Sequence, residues 1–398
     1  MRKSIGFILI ILNCFQVFSS EIKTIKKVNN VKEFFAALGN NTEVVITCET
    51  LDFTLENLEK ELNIEETSEF WASRVDPIKR VPQSYYLDYG IVLYGFNNLT
   101  IRGEKNTNII SNDDYRVVLN FKKCNNIVLE NLNIYHTPSD SKGGELFVSL
   151  SNDIIVNNCA FSGNTVYGVK LIGVNNATFN NCVISNKDFS AISVFNSFGV
   201  TFFNCEIYNI GDYGSGLIYA DLSSMVFKSC FITSNTSNKF VYGSYKKLYQ
   251  HPTRFINCNI SNNSFNSQNY IDGFTKPVKE KSRDEKRYIL FTTFKEVLEE
   301  SLNSDHDNYN EYLRSFFDEN WKITYTESSK VVSNFITYYY HLKGNNAINT
   351  YKLENLKTKY VITIETDDNS LIKLNITFNE NNKIVKLNEQ LNTKTNKG

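Results

Sequence analysis

Ile154-Ile-Val-Asn-Asn-Cys-Ala-Phe161 returns, with small changes, as Ala177-Thr-Phe-Asn-Asn-Cys-Val-Ile184 and Val200-Thr-Phe-Phe-Asn-Cys-Glu-Ile207. Met225-Val-Phe-Lys-Ser-Cys-Phe-Ile232 and Thr253-Arg-Phe-Ile-Asn-Cys-Asn-Ile260 continue the series. The cysteines stand at intervals of 23, 23, 25 and 28 residues. Upstream, Ile127-Val-Leu-Glu-Asn-Leu-Asn-Ile134 fits with Leu132 in the cysteine slot, and Leu99-Thr-Ile-Arg-Gly103 fits more loosely. A self-similar period in the twenties is the signature of a solenoid, whose units bury their cores only against their neighbours.

Mostly apolar residues fill positions −5, −3, 0 and +2 around each cysteine, which reads as one strand alternating with period two, a bend, and a second strand. A further strand precedes each unit: Leu146-Phe-Val148, Val169-Lys-Leu171, Ile192-Ser-Val194 and Leu217-Ile-Tyr219. Three short strands and three turns per repeat leave no room for crossover helices. The expected fold is an all-β right-handed parallel β-helix of about seven rungs over residues 89–270, stacked ~4.8 Å apart.

The pattern resembles the right-handed β-helix superfamily that includes pectate lyases and polygalacturonases. The resemblance implies that the asparagines at the bend, Asn131, Asn158, Asn181, Asn204 and Asn257, stack into an internal ladder, with Ser229 and Gly103 departing from it. Amides in register can donate to and accept from the next rung. Cys159, Cys182, Cys205, Cys230 and Cys258 read as a buried column of small hydrophobes rather than redox groups.

Other parts of the chain are read from composition and pattern. Forty-two basic and 43 acidic residues give a net charge of −1, which argues against a nucleic-acid binder or an electrostatic hold on an acidic membrane. Arg2, Lys3, the apolar run Ile5 to Leu12 and small residues to Ser20 form a signal peptide with cleavage near Ser19. A lipoprotein anchored through Cys14 and a buried N-terminal helix are the alternatives. No later stretch is long and apolar enough to span a bilayer, so the mature chain is expected to be secreted, periplasmic or at the cell surface. Seven cysteines then remain, an odd number without a CxxC pair, and the four histidines are far apart. Neither a disulfide framework nor zinc is expected, and no cofactor.

Residues 20–88 are expected to form an N-terminal cap and an insertion. The cap is the helix Asn30–Leu38 and the strand Glu43–Cys48; the insertion 51–88 is expected to lie over one face of the solenoid. Residues 271–287 read as a charged linker and 391–398 as a tail. Residues 288–390 are expected to form an α+β domain. Its helices are Tyr288–Leu302 and Tyr309–Phe317. Its antiparallel strands begin at Trp321, Val331, Asn349, Lys359, Leu371 and Ile384, similar to a nuclear-transport-factor-like curved sheet.

Catalysis is harder to find. The resemblance places polygalacturonase-type carboxylates and histidine where Val166-Tyr-Gly168, Phe189-Ser-Ala191 and Tyr213-Gly-Ser215 stand, and none is acidic or histidine. Pectate lyases use outward acidic calcium ligands and a base on the strand that opens each rung. Here that outward position reads Val92, Val118, Phe147, Lys170, Ser193 and Ile218. So apolar a face is expected to be covered, by the 51–88 insertion or the C-terminal domain. The remaining candidates are Asp113, Asp114, Arg116, His136, Asp140 and Glu145, in loops that consecutive rungs bring together. Two readings follow. One is an exported, non-catalytic protein that binds glycans or forms part of the cell surface. The other is a polysaccharide lyase or glycoside hydrolase with a displaced active site.

Overall fold

A computed structural model describes residues 23–62, 84–87, 90–112, 116–137, 143–211, 216–243 and 253–267. It also describes parts of 287–324, with 331–332, 348–356, 359–366, 371–378 and 383–392. The signal-peptide segment, Asp113, Asp114, Asp140 and residues 213–215 lie outside these.

The repeat winds into three parallel sheets. The first, which opens each rung, stacks Gly90–Tyr94, Val117–Lys122, Gly144–Ser149, Thr165–Ile172, the end of Val183–Phe195, Ile218–Asp221 and Val241–Tyr242. The second contains the strand before each cysteine, from Asn152–Asn157 through Asn175–Asn180 and Phe198–Phe203 to Arg254–Ile256. The third follows the cysteine. The second sheet begins earlier than the repeat suggests. Thr24–Val28 pairs in parallel with Thr42–Ile46, which pairs with Leu99–Gly103.

Period-two alternation puts one side of every strand into the core. In the second sheet, Phe179, Phe202, Phe227 and Phe255 stack face to face, with ring centroids 4.6, 4.8 and 4.9 Å apart. Cys159, Cys182, Cys205 and Cys230 are buried; Cys258, on the last rung, is only partly covered. Each thiol from Cys182 onward meets a carbonyl one rung below, as Cys205 Sγ does at Phe179 O, 3.4 Å away. Burial pushes the Cys159 thiol up to about 12 and the Cys124 thiol up to about 11.

The asparagine ladder lies on the outside, where an internal one was expected. Asn131, Asn158, Asn181, Asn204 and Asn257 have φ of 56°, 51°, 52°, 51° and 54°. This left-handed conformation tolerates asparagine better than most residues, and Ser229 adopts it too, at 54°. Asn158, Asn181, Asn204 and Asn257 are exposed, while the cysteine after the bend turns inward. The amides still run from rung to rung: Asn158 Nδ2 donates to Asn131 Oδ1 (3.3 Å), Asn181 to Asn158 (3.2 Å) and Asn204 to Asn181 (2.8 Å). The internal polar groups are elsewhere. At the bend between first and second sheets, Ser151, Ser197 and Ser223 accept from the amides of Cys124, Val174 and Ser197. Asn235 and Asn263 do similar work after the third sheet.

The N-terminal end is capped by the helix Val31–Ala37, which buries Val31, Phe34, Phe35 and Ala37. Asn30 Oδ1 accepts from Glu33 N (2.8 Å), and Glu33 Oε2 from Asn29 N (2.9 Å), satisfying amides the helix leaves open. The helix Leu55–Leu62, from the expected insertion, adds Leu58 to this end of the core rather than covering the first sheet.

Beyond the repeat, Arg287, Leu290, Phe291, Phe294, Val297 and Leu298 are helical, as are Tyr312 and Leu313. The second helix was expected to reach Phe317. Instead Ser315 and Phe316 form a turn, and a strand starts at Phe317. Six strands follow in the order Val331–Val332, Phe317–Thr324, Ile384–Asn392, Leu371–Phe378, Lys359–Thr366, Ile348–Leu356. Phe317–Thr324 and Ile384–Asn392 pair in parallel, so the sheet is mixed rather than purely antiparallel.

Candidate functional site

The outward column of the first sheet is where the chemistry was sought. Pairing corrects its membership: Val92 lies beside Asn120, Phe147 beside Lys170, Lys170 beside Ser193 and Ser193 beside Tyr219. Val118 and Ile218 are therefore inward, in the solenoid core. The neighbouring outward column runs Ser149, Ile172, Phe195, Asp221.

This face is closed. Val117, Phe147, Ile172, Phe195 and Leu222 share one buried cluster with Phe291, Phe294, Leu298, Leu313, Phe316 and the C-terminal sheet. Phe195 is the centre of it, edge-on to Tyr312 at 4.6 Å and to Phe316 at 5.9 Å. Asn196 Nδ2, buried, donates to Ser315 O (2.9 Å) and Oγ (3.0 Å). Gly173 fits under Ser315 for two reasons: its φ is +64°, and a Cβ there would come within 2.8 Å of Ser315 Cβ.

Lys170, the one basic residue of that column, is accounted for here. Its Nζ lies 5.3 Å from the ring centroids of Phe147 and Tyr167 and 5.6 Å from that of Tyr312. Three ring faces hold the ammonium by cation–π attraction, and one of them comes from the C-terminal part.

The displaced cluster is only partly assembled. Arg116 is half-buried, and its carbonyl occupies the space a Cβ on Gly143 would need. His136 and Glu145 do converge, but inside the protein. His136 is buried, and its Nε2 donates to Gly144 O at 3.2 Å. Glu145 Oε1 accepts from Thr165 Oγ1 (2.8 Å) and pairs with Lys187 Nζ (2.8 Å), and Nζ also donates to Gly163 O (2.8 Å). Both charged side chains are 0% exposed. Burial pushes the Glu145 carboxyl up to about 7, against the pull of Lys187, and pushes the Lys187 ammonium down. No sugar can reach these groups, so His136 and Glu145 are not the open acid/base pair expected.

Lys187 and Thr165 were missed because a lysine in a turn reads as solvated. Register could have found Lys187. It pairs with Ile210, three residues after an inward isoleucine in each case, and Ile210 is buried. Asn235 repeats that position after Ile232 and is buried too.

A family model described as "Right handed beta helix region" matches residues 78–236 and again 118–278. The chain belongs to the right-handed β-helix family. Among solved structures, the crystal structure of the pectin methylesterase from Aspergillus niger in deglycosylated form matches at 12% identity with a TM-score of 0.34, covering 68% of this chain and 94% of that one. No curated protein matches. As a right-handed β-helix, the chain has Tyr167 half-buried and Ser190 buried, with Oγ donating to Gly216 O, at two positions where the hydrolase resemblance calls for acids.

Proposed function

We propose that this protein is exported and binds glycans at or near the cell surface without cleaving them. The observation that carries this reading is the sealed first sheet: the face expected to hold substrate is packed against Leu290, Phe291, Phe294, Leu298, Leu313 and Phe316. A cleavage site needs a proton donor and acceptor within reach of one linkage, and the described candidates, His136 and Glu145, are enclosed. Export is supported by the N-terminal segment Arg2–Ser20, and no described helix is long and apolar enough to cross a membrane.

The surface left open suits a sugar chain. Phe203 and Phe231 are 46% and 48% exposed and flank the bend between second and third sheets on adjacent rungs. Ile256 continues the line of Phe203 and Lys228. Beside them run two rows of amides, Asn157–Asn180 and Asn131–Asn204, each using only part of its hydrogen-bonding capacity within the row. Rings for stacking and amides for hydroxyl groups are the two elements of sugar recognition.

The test is a panel of neutral and uronic-acid glycans, with and without calcium, read both for binding and for cleavage. Binding without turnover, lost in Phe203→Ala/Phe231→Ala, is the expected result. Turnover of any glycan, or binding to none, overturns the reading.

A further inference from the structure

Glu145, Thr165 and Lys187 sit on three successive windings, and their side chains meet in a space closed to solvent. Gly168 helps make the space: a Cβ there would lie 3.3 Å from Lys187 Cε, tighter than an ordinary contact. As an ion pair the arrangement is incomplete. Oε1 takes both Lys187 Nζ and Thr165 Oγ1, whereas no donor among the described residues reaches Oε2. A buried carboxylate with one bare oxygen is poorly compensated for its lost water.

We propose that Lys187 and Glu145 condense into an intramolecular amide. The neutral amine of Lys187 attacks Glu145 Cδ, and the oxygen that gains charge is Oε1, already accepting the Thr165 hydroxyl. The Nζ–Cδ bond forms, one Nζ proton passes to the protonated Oε2, and the Cδ–Oε2 bond breaks to release one water. Nothing is oxidised or reduced.

Three features favour this outcome. Burial disfavours the charged forms of both partners and so shifts the pair toward the neutral amine and carboxylic acid that react. Fixing them side by side supplies an effective concentration on the order of 10⁵ M or more, in a site where water does not compete. The product also satisfies every group. Its single N–H donates to Gly163 O, its carbonyl accepts from Thr165, and the bare oxygen and both charges are gone. A covalent strut here would tie together the rungs that carry the sealed face, in a protein whose described cysteines are all free.

The experiment is the intact mass of the purified, folded full chain, followed by peptide mapping under denaturing and reducing conditions. The expected mass is one water below that of the linear chain. Mapping should then show the peptides containing Glu145 and Lys187 joined. Lys187→Arg and Glu145→Ala should restore the full mass. Thr165→Val should give a mixture of joined and unjoined chains. A wild-type protein of full mass, with Glu145 and Lys187 in separate peptides, overturns the proposal. That readout needs no variant to fold.

Discussion

Replacing Phe195 by alanine should loosen the C-terminal part from the solenoid while leaving the solenoid itself folded. Phe195 is 1% exposed, and its ring contacts Tyr312 and Phe316, both on the C-terminal side. Truncating a buried phenylalanine costs about 3–5 kcal/mol, of which the edge-on ring pairs account for about 0.5–1.5 kcal/mol each. Phe195 faces outward from its rung, so the cavity opens at the interface and little of the loss falls on the β-helix core. A loss of about 3 kcal/mol raises the population of the undocked state by roughly a hundredfold. Phe291 and Phe294 are 0% exposed, so chymotrypsin reaches them only after opening. Where opening is fast relative to cleavage, their cleavage rate follows that population. Phe195→Ala should therefore speed cleavage at Phe291 and Phe294 by about two orders of magnitude. Phe179→Ala, in the inner stack, should lower the solenoid's denaturation midpoint without the same acceleration. Unchanged cleavage in Phe195→Ala would refute the view that this ring holds the two parts together.

Gly173→Ala should act at the same interface, combining a strained φ with a clash against Ser315; it should speed the same cleavage, and a wild-type rate would count against the close packing. Cys182→Ser should cost about 1–3 kcal/mol by placing a hydroxyl in the apolar column, read from urea denaturation; native thiol labelling should modify Cys48 and Cys258 well before Cys182 and Cys205. Lys187→Met should make stability pH-dependent. It leaves the Glu145 carboxyl buried without Lys187 beside it, so burial keeps the folded value above the unfolded 4.5. The stabilisation is then complete below the unfolded value and lost as pH rises through the folded one. The melting temperature of this variant should fall as pH rises from the unfolded 4.5 to above about 7, and that of Lys187→Met/Glu145→Gln should stay flat.

The repeat was legible because one cysteine-centred pattern states strand, bend and inward face together, and every rung restates it. The asparagines were read as internal because their position in the repeat matched the family's ladder. Their identity is explained by backbone conformation: a left-handed bend turns its own side chain outward and the following residue inward. Sequence spacing alone does not separate an amide ladder inside the coil from one on its surface. The buried pair was hidden for a different reason. Glu145 and Lys187 are polar residues in the strands Gly144–Ser149 and Val183–Phe195, and for Lys187 only its register with buried Ile210 marks it as internal.

The lone lysine of the first sheet shows how the sealed face could be inferred from composition yet not assigned. Phe147, Ile172 and Phe195 in outward positions required a cover, and both the insertion and the C-terminal part met that requirement. Lys170 distinguishes a face that needs a partner from one that has it. A cation beside Phe147 and Tyr167 is held more firmly when a third ring closes over it, and Tyr312 supplies that ring. The same residue would stand as the base of a lyase site if the face were open and acidic neighbours held calcium beside it. Here its outward neighbours in register are Phe147 and Ser193, with Tyr219 beyond, and three rings surround its ammonium. On the function proposed above, a glycan approaches from another side, where Phe203 and Phe231 stand exposed beside the amide rows.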